Sequence, residues 1–189
     1  MPSAAGVGLL LGIDPGLAAT GWGLIDRDHR VVACGTLRTA PAAAAPRLLQ
    51  IVSGLQGVLA SHGVAEAALE ELFMGRNATS VIGVAQARGA ILVVLAAAGI
   101  PVHEYKPAHI KATVTGYGMA GKSQMARMLA LQGIKQEAMD DHAADAVAIA
   151  ICHARSRRLL LPPPRRGRAG VGGPAGYSGT GSEHGAGAQ

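Results

Sequence analysis

The stretch Leu9–Asp26, LLLGIDPGLAATGWGLID, decides the fold. An apolar run over 8–13 ends on a single aspartate, Asp14. Pro15, Gly16 and several small residues follow, and a second apolar run occupies 21–26. Apolar runs of this length, bounded by turn residues, read as strands. The link DPGLAAT is short, which points to an antiparallel return. A third run at 31–37, after the turn RDHR, extends the meander. Asp14 therefore stands where a buried strand leaves the core. Pro15 fixes the turn, and Gly16 lets backbone or a phosphate come close.

Working outward, the spacing of Leu48, Leu49, Val52, Leu55 and Leu59 predicts a helix over 46–61, with Pro46 in its first turn. A strand is expected at 65–73. Residues 77–98 read as a long apolar helix, opened by Asn77 or Thr79 and closed by Gly99. A short strand at 101–105 follows, then helices over 107–114 and 122–132, and a last helix over 140–158. Three strands followed by αβαβαα indicate an α/β domain with a mixed sheet. There is no internal repeat.

A chain of 189 residues favours one domain. It is 49% hydrophobic but only 3% aromatic, so its core must be aliphatic, and Trp22 and Phe73 stand out. Two cysteines make no disulfide framework. Cys34 and Cys152 fit a reducing cytosol and read as small core residues. The run VGLLLGID is short and ends in a charge, which argues against a signal peptide, and GAILVVLAAAGIPV is too short to span a bilayer. A cytoplasmic protein without a membrane partner is expected. The net charge of +5 belongs to the C-terminal end: residues 155–189 hold six arginines and one acid, Glu183, whereas 1–154 balance. From Pro162 onward Gly, Pro, Ser and Arg dominate, so 1–158 is expected to fold and 159–189 to form a disordered basic tail. Within the neutral part, Lys106, Lys111, Lys122, Arg127 and Lys135 are unopposed by any acid over 106–136. Such a run suits a solvated face as well as a polyanion.

The acids are best weighed as a set. Glu70 and Glu71 lie near the end of a later strand; if that strand is a parallel neighbour of the first, its end lies beside Asp14. Strand alternation allows only one of the two glutamates onto the face of Asp14. In MDDHAADAVAIAICHA, His142 and Asp145 share a helix face, and Asp141 lies four residues before Asp145. Taken singly, Asp14 suits a turn, Asp140 and Asp141 suit helix caps, and a lone histidine is usually structural. Taken together, three acids and a histidine at element ends suit Mg²⁺ or Mn²⁺. Two such ions can drive phosphodiester hydrolysis.

These residues carry a resemblance. LGIDPG and TGWG within 11–23, LEELFMGRNATS and GVAQARG within 69–89, HEYKPAHIKATVTGYGMAGKSQ at 103–124 and DHAADAVAIAICH at 141–153 resemble, in order, the RuvC family of bacterial Holliday-junction resolvases, within the RNase H-like superfamily. The resemblance covers nearly all of 8–158. It implies an RNase H-like mixed five-stranded sheet flanked by helices, and a homodimer whose two sites cut opposing strands of a four-way DNA junction in recombination and repair. It further implies partnership with the RuvA–RuvB branch-migration complex. The metal-binding and catalytic positions fall on Asp14, Glu70, His142 and Asp145, for Mg²⁺ or Mn²⁺, two ions per site. Many members carry aspartate where this chain has His142, and the adjacent Asp141 is the alternative ligand. Phe73 matches a residue that stacks on unpaired bases, although a core role is the other reading of an aromatic there. Arg76, Lys111 and Lys122 match positions that grip the DNA backbone. The tail has no counterpart.

Three rival readings stand beside this one. GYGMAGKS at 116–123 satisfies the P-loop pattern, which needs a strand before it and a helix after it. A junction-binding protein with merely structural acids would lack metal-dependent nicking. A nuclease of RNA–DNA hybrids would need contacts to the 2′-hydroxyl.

Overall fold

The computed structural model describes residues 8–72, 78–134 and 139–160, with backbone alone at 78–80 and 158–160. Phe73, Arg76, Asn77, Lys135 and the tail lie outside the described residues. The elements run β1 (Leu9–Asp14), β2 (Ala19–Ile25), β3 (Val31–Arg38), α1 (Ala44–Ser61), β4 (Val64–Glu70), α2 (Ala78–Ala97), β5 (Val102–Tyr105), α3 (Pro107–Thr115), α4 (Lys122–Leu131) and α5 (Asp141–Leu160). The strands form one sheet in the order β3-β2-β1-β4-β5. β1 pairs antiparallel with β2, and β2 with β3; β1 pairs parallel with β4, and β4 with β5. This is the expected α/β architecture with a mixed five-stranded sheet.

Period-two alternation divides the core into two layers. Leu11, Ile13, Ala67 and Leu69 face one side with α1 and α2, where Ile51, Leu55, Ile91 and Leu95 complete the packing. Leu10 and Ala68 face the other side with α3, α4 and α5. The α5 helix is buried almost continuously from Ala146 to Ala154, so it runs through the core like a sixth structural spine. Its approach depends on missing side chains: a Cβ on Gly12 would overlap the Ala146 carbonyl, and one on Gly21 the His142 carbonyl. Glycine in β1 and β2 thus lets the helix backbone lie directly on the sheet.

Several expectations need adjustment. The strand foreseen at 65–73 ends at Glu70, because its neighbour β5 ends at Tyr105 and the pairing closes with Glu70 opposite Tyr105. Cys152 is fully buried, but Cys34 is only partly so, since β3 is an edge strand with one free side. The helix closed by Gly99 ends as the punctuation suggested, with Gly99 at φ +68°. Among the described residues no helix is long and apolar enough to cross a membrane.

Candidate active site

Sequence places Asp14, Glu70 and Asp145 far apart; topology brings them to one end of the sheet. In β1, Leu10, Gly12 and Asp14 alternate toward α5. The parallel register pairs Ile13 with Leu69, so Asp14 and Glu70 follow side by side at the strand ends. From across the layer, the first turns of α5 present Asp145. Asp14, Glu70 and Asp145 line one cleft of about 240 Å³, together with Asp141, Lys111 and Lys122. Glu71 is not on the lining of that cleft; it borders a neighbouring groove on the α2 side with Val81, Val84 and Arg88.

The turn after Asp14 is held locally. The Thr20 hydroxyl donates to the Gly16 carbonyl at 2.8 Å. Asp140 caps α5, accepting from the Ala143 amide at 3.0 Å, and also accepts from Thr36 and Arg38 of β3. These bonds hold its carboxyl below the usual range, the Thr36 hydroxyl most. Capping belongs to Asp140 alone; Asp141 is exposed and pairs with Lys122 at 3.2 Å.

The cleft carboxylates crowd one another. Burial pushes all three above the ordinary carboxylate value. Asp14 and Asp145 push Glu70 further, and Asp14 pushes Asp145 further. At Asp14 the hydrogen bond to His142 opposes the rise. Its geometry is Nδ1 to Oδ2 at 3.0 Å. Repulsion among partly buried anions is what a multivalent cation relieves. Lys111 and Lys122 add positive charge on the walls without neutralising the centre.

Arg88 was not foreseen as part of this site. It comes from the middle of α2, it is nearly buried, and its guanidinium donates to the Glu70 main-chain carbonyl at 2.9 Å while pairing with Glu104 of β5. It therefore holds the backbone of Glu70 and the edge strand together. The signal was a cation in the otherwise apolar run VIGVAQARGAILVVLAAA. The P-loop reading fails on context: the segment before GYGMAGKS is helix α3, and Lys122 opens α4 beside Asp141. Phe73 and Arg76 lie outside the described residues.

Comparison with known proteins agrees with this geometry. The family model described as Crossover junction endodeoxyribonuclease RuvC matches residues 10–153. Crossover junction endodeoxyribonuclease RuvC of Chloroflexus aggregans (strain MD-66 / DSM 9485) is 49% identical over 155 residues, which is 79% of this chain and 94% of that one. The protein of the same name from Roseiflexus sp. (strain RS-1) is 46% identical, covering 79% of this chain and 92% of that one. A solved structure described as T. thermophilus RuvC in complex with Holliday junction substrate superposes with a TM-score of 0.73 at 32% identity, covering 80% of this chain and 96% of that one. The yeast mitochondrial Holliday junction resolvase Ydc2, at 15% identity and a TM-score of 0.59, shares the fold. With the sheet order, the cleft at the strand ends and nearly all of 10–153 aligned, this chain belongs to the RuvC family of crossover junction endodeoxyribonucleases.

Proposed function

We propose that this chain is a structure-specific endonuclease that resolves four-way DNA junctions, by divalent-metal-dependent phosphodiester hydrolysis in two opposing strands, in homologous recombination and repair. One observation carries the reading: carboxylates from three separate elements, Asp14, Glu70 and Asp145, meet in one cleft whose walls carry Lys111 and Lys122. Membership in the RuvC family supports it. So does the likeness to the T. thermophilus protein, whose structure is described as a complex with a Holliday junction substrate.

In this reading Asp14, Glu70, His142 and Asp145 hold Mg²⁺ or Mn²⁺, two ions per site. The donor chemistry fits: carboxylate oxygens suit both ions, and burial has left three anions in need of a cation. The bound ions would activate a water and stabilise the leaving oxygen. The chain's own residues do the rest. The His142 bond orients Asp14. Arg88 fixes the Glu70 backbone. Lys111 and Lys122 draw in phosphates, which positions the DNA without reading its sequence. Phe73, stacking on an unpaired base, and Arg76, on the backbone, complete the DNA contacts by resemblance to the family. A homodimer supplies the second cut, the RuvA–RuvB complex is the working partner, and the cytoplasm is the place. The nuclease domain runs through α5, whose helix reaches Leu160, two residues beyond the 158 expected from composition, and the basic segment follows it.

The deciding experiment incubates the protein with a synthetic four-way junction and with a linear duplex, with and without Mg²⁺ or Mn²⁺. Metal-dependent nicks in opposing strands of the junction, with the duplex left whole, are expected. Junction binding without nicking in either metal would leave only a binding protein, and preferential cutting of an RNA–DNA hybrid would assign a different substrate.

A further inference from the structure

Among the described residues, the tightest group of three potential metal ligands is not the acid cleft. It is Glu66, His103 and His153, whose ligand atoms all lie within 4.8 Å of one another. The three come from β4, β5 and α5. Alternation along β4 puts Glu66, Ala68 and Glu70 on the same face, and the stripe Asp145, Ile149, His153, Arg157 on α5 runs past them in i+4 steps. Asp145 meets the Glu70 end and His153 meets the Glu66 end. Four strand residues and eight helix residues each span roughly 12–13 Å, so this group stands about that far from the cleft.

The geometry is that of a ligand set with its supports in place. Glu66 Oε2 lies 3.0 Å from His153 Nε2 and 3.3 Å from His103 Nε2, so both rings aim the same nitrogen at one carboxylate oxygen. The Tyr105 hydroxyl lies 2.8 Å from His153 Nδ1. That partner fixes the ring and leaves Nε2 for a metal, as outer-shell partners of metal-bound histidines do. Arg157 holds the other carboxylate oxygen, Oε1, at 2.9 Å, which keeps Oε2 turned toward the rings. His153 is fully buried, while Glu66 and His103 are partly open, giving an ion a way in.

We propose that Glu66, His103 and His153 form a second metal site, separate from the acid cleft, for a borderline divalent ion of the Zn²⁺ class that pins α5 to β4 and β5. Two imidazoles and one carboxylate are a zinc donor set, and a fourth position is left for water. The same donors suit Mg²⁺ poorly, because it prefers oxygen and keeps its waters. The two sites thus sort ions by chemistry: oxygen-rich at Asp14, nitrogen-rich at His153. Arg157 opposes a second cation, so the site is weaker than one built from anions alone.

The test is Zn²⁺ binding to the full chain by calorimetry, in excess Mg²⁺ that occupies the acid cleft. One equivalent of Zn²⁺ is expected for the wild type and for Asp14→Asn. His103→Gln and Glu66→Gln should each weaken binding at least about tenfold, as loss of one ligand does in metal sites. Both altered residues are partly exposed, so folding is expected to survive, and melting curves check it: Zn²⁺ should raise the melting temperature of the wild type and of Asp14→Asn but not of His103→Gln. Zn²⁺ uptake that persists in His103→Gln, or that disappears in Asp14→Asn, would overturn the proposal. So would no uptake by the wild type, which would leave the three residues as a hydrogen-bonded tie.

Discussion

Asp14 is held in a place that disfavours its charge. Burial pushes its carboxyl up, and among the described residues His142 and Lys122 push back. Such a residue is poor for stability and useful for binding a cation. Asp14→Asn is therefore expected to abolish junction cutting while leaving junction binding largely intact, because the cations that attract DNA lie elsewhere; near-normal nicking in a gel assay would contradict this. The crowding has a stability consequence with a definite sign. A carboxyl whose folded-state pKa is raised contributes stability that is full below its unfolded value and is lost as pH rises through the folded one. For Asp145 the loss lies above the ordinary aspartate value of 3.8. With metal chelated, Asp145→Asn should thus melt higher than wild type at neutral pH, and the gap should close toward acid pH. Equal melting temperatures at neutral pH would show that the cleft carries no such repulsion. His142 poses a related question. If it ligates, the site has one negative charge fewer and a softer donor, so Mn²⁺ should outperform Mg²⁺ and His142→Ala should cut far more slowly than Asp141→Ala. If Asp141 ligates instead, the order of the two alanine variants reverses, and cleavage rates in each metal decide.

At the scale of elements, the site exists because α5 lies backbone to backbone on the sheet. Gly12 and Gly21 make that contact, so their cost and benefit can be measured. Gly12→Ala would place a methyl group against the Ala146 carbonyl and the Ala150 amide. A loss of about 1–3 kcal/mol is expected from overpacking. Gly57 is the matched control: it sits in the exposed interior of α1 with nothing near its missing Cβ, so Gly57→Ala should gain roughly 0.5–1 kcal/mol. Urea denaturation of both variants tests the pair, and a neutral Gly12→Ala would show that α5 can move away from β1. The elements also show what a sequence reveals. Strands and helices were legible because turn residues and apolar period mark them locally, whereas the parallel pairing of β1 with β4 was a condition that the structure meets. Position at element ends singled out Asp14, the pair Glu70 and Glu71, and the start of the last helix; the choice of Glu70 and His142 within them came from the resemblance to the RuvC family. Arg88, and the trio Glu66, His103 and His153, were not legible. Their partners lie in other elements, and no fixed spacing links 66, 103 and 153. The edge position that leaves Cys34 half-open is likewise a property of the strand order, which a single strand does not encode.

For the molecule as a whole, charge is sorted by place and not by amount. Residues 1–154 carry no net charge, yet Lys106, Lys111, Lys122 and Arg127 lie along α3, α4 and their flanks, while four acids, Asp14, Glu70, Asp141 and Asp145, line the cleft beside them. In the proposed reading DNA attraction comes from that local face, with Arg165, Arg166 and Arg168 beyond α5 as a separate contribution. The α5 helix reaches Leu160, two residues past the boundary expected from composition. Removing 162–189 takes away Arg165, Arg166 and Arg168 and one acid, Glu183, and leaves every buried side chain of the described residues in place. The truncated chain is expected to melt at the same temperature as the full one. Its DNA binding should become less salt-dependent, by about 0.9 in the log–log slope for each arginine that had met a phosphate. If those arginines meet phosphates alone, junction and linear duplex should lose affinity by the same factor. Lys111→Ala, by contrast, should weaken cutting of the junction while the tail's contribution stays in place. Dissociation constants for both DNA forms, measured across a salt series with the full and truncated chains, make the comparison. A loss confined to the junction would mean that the tail itself recognises the four-way centre.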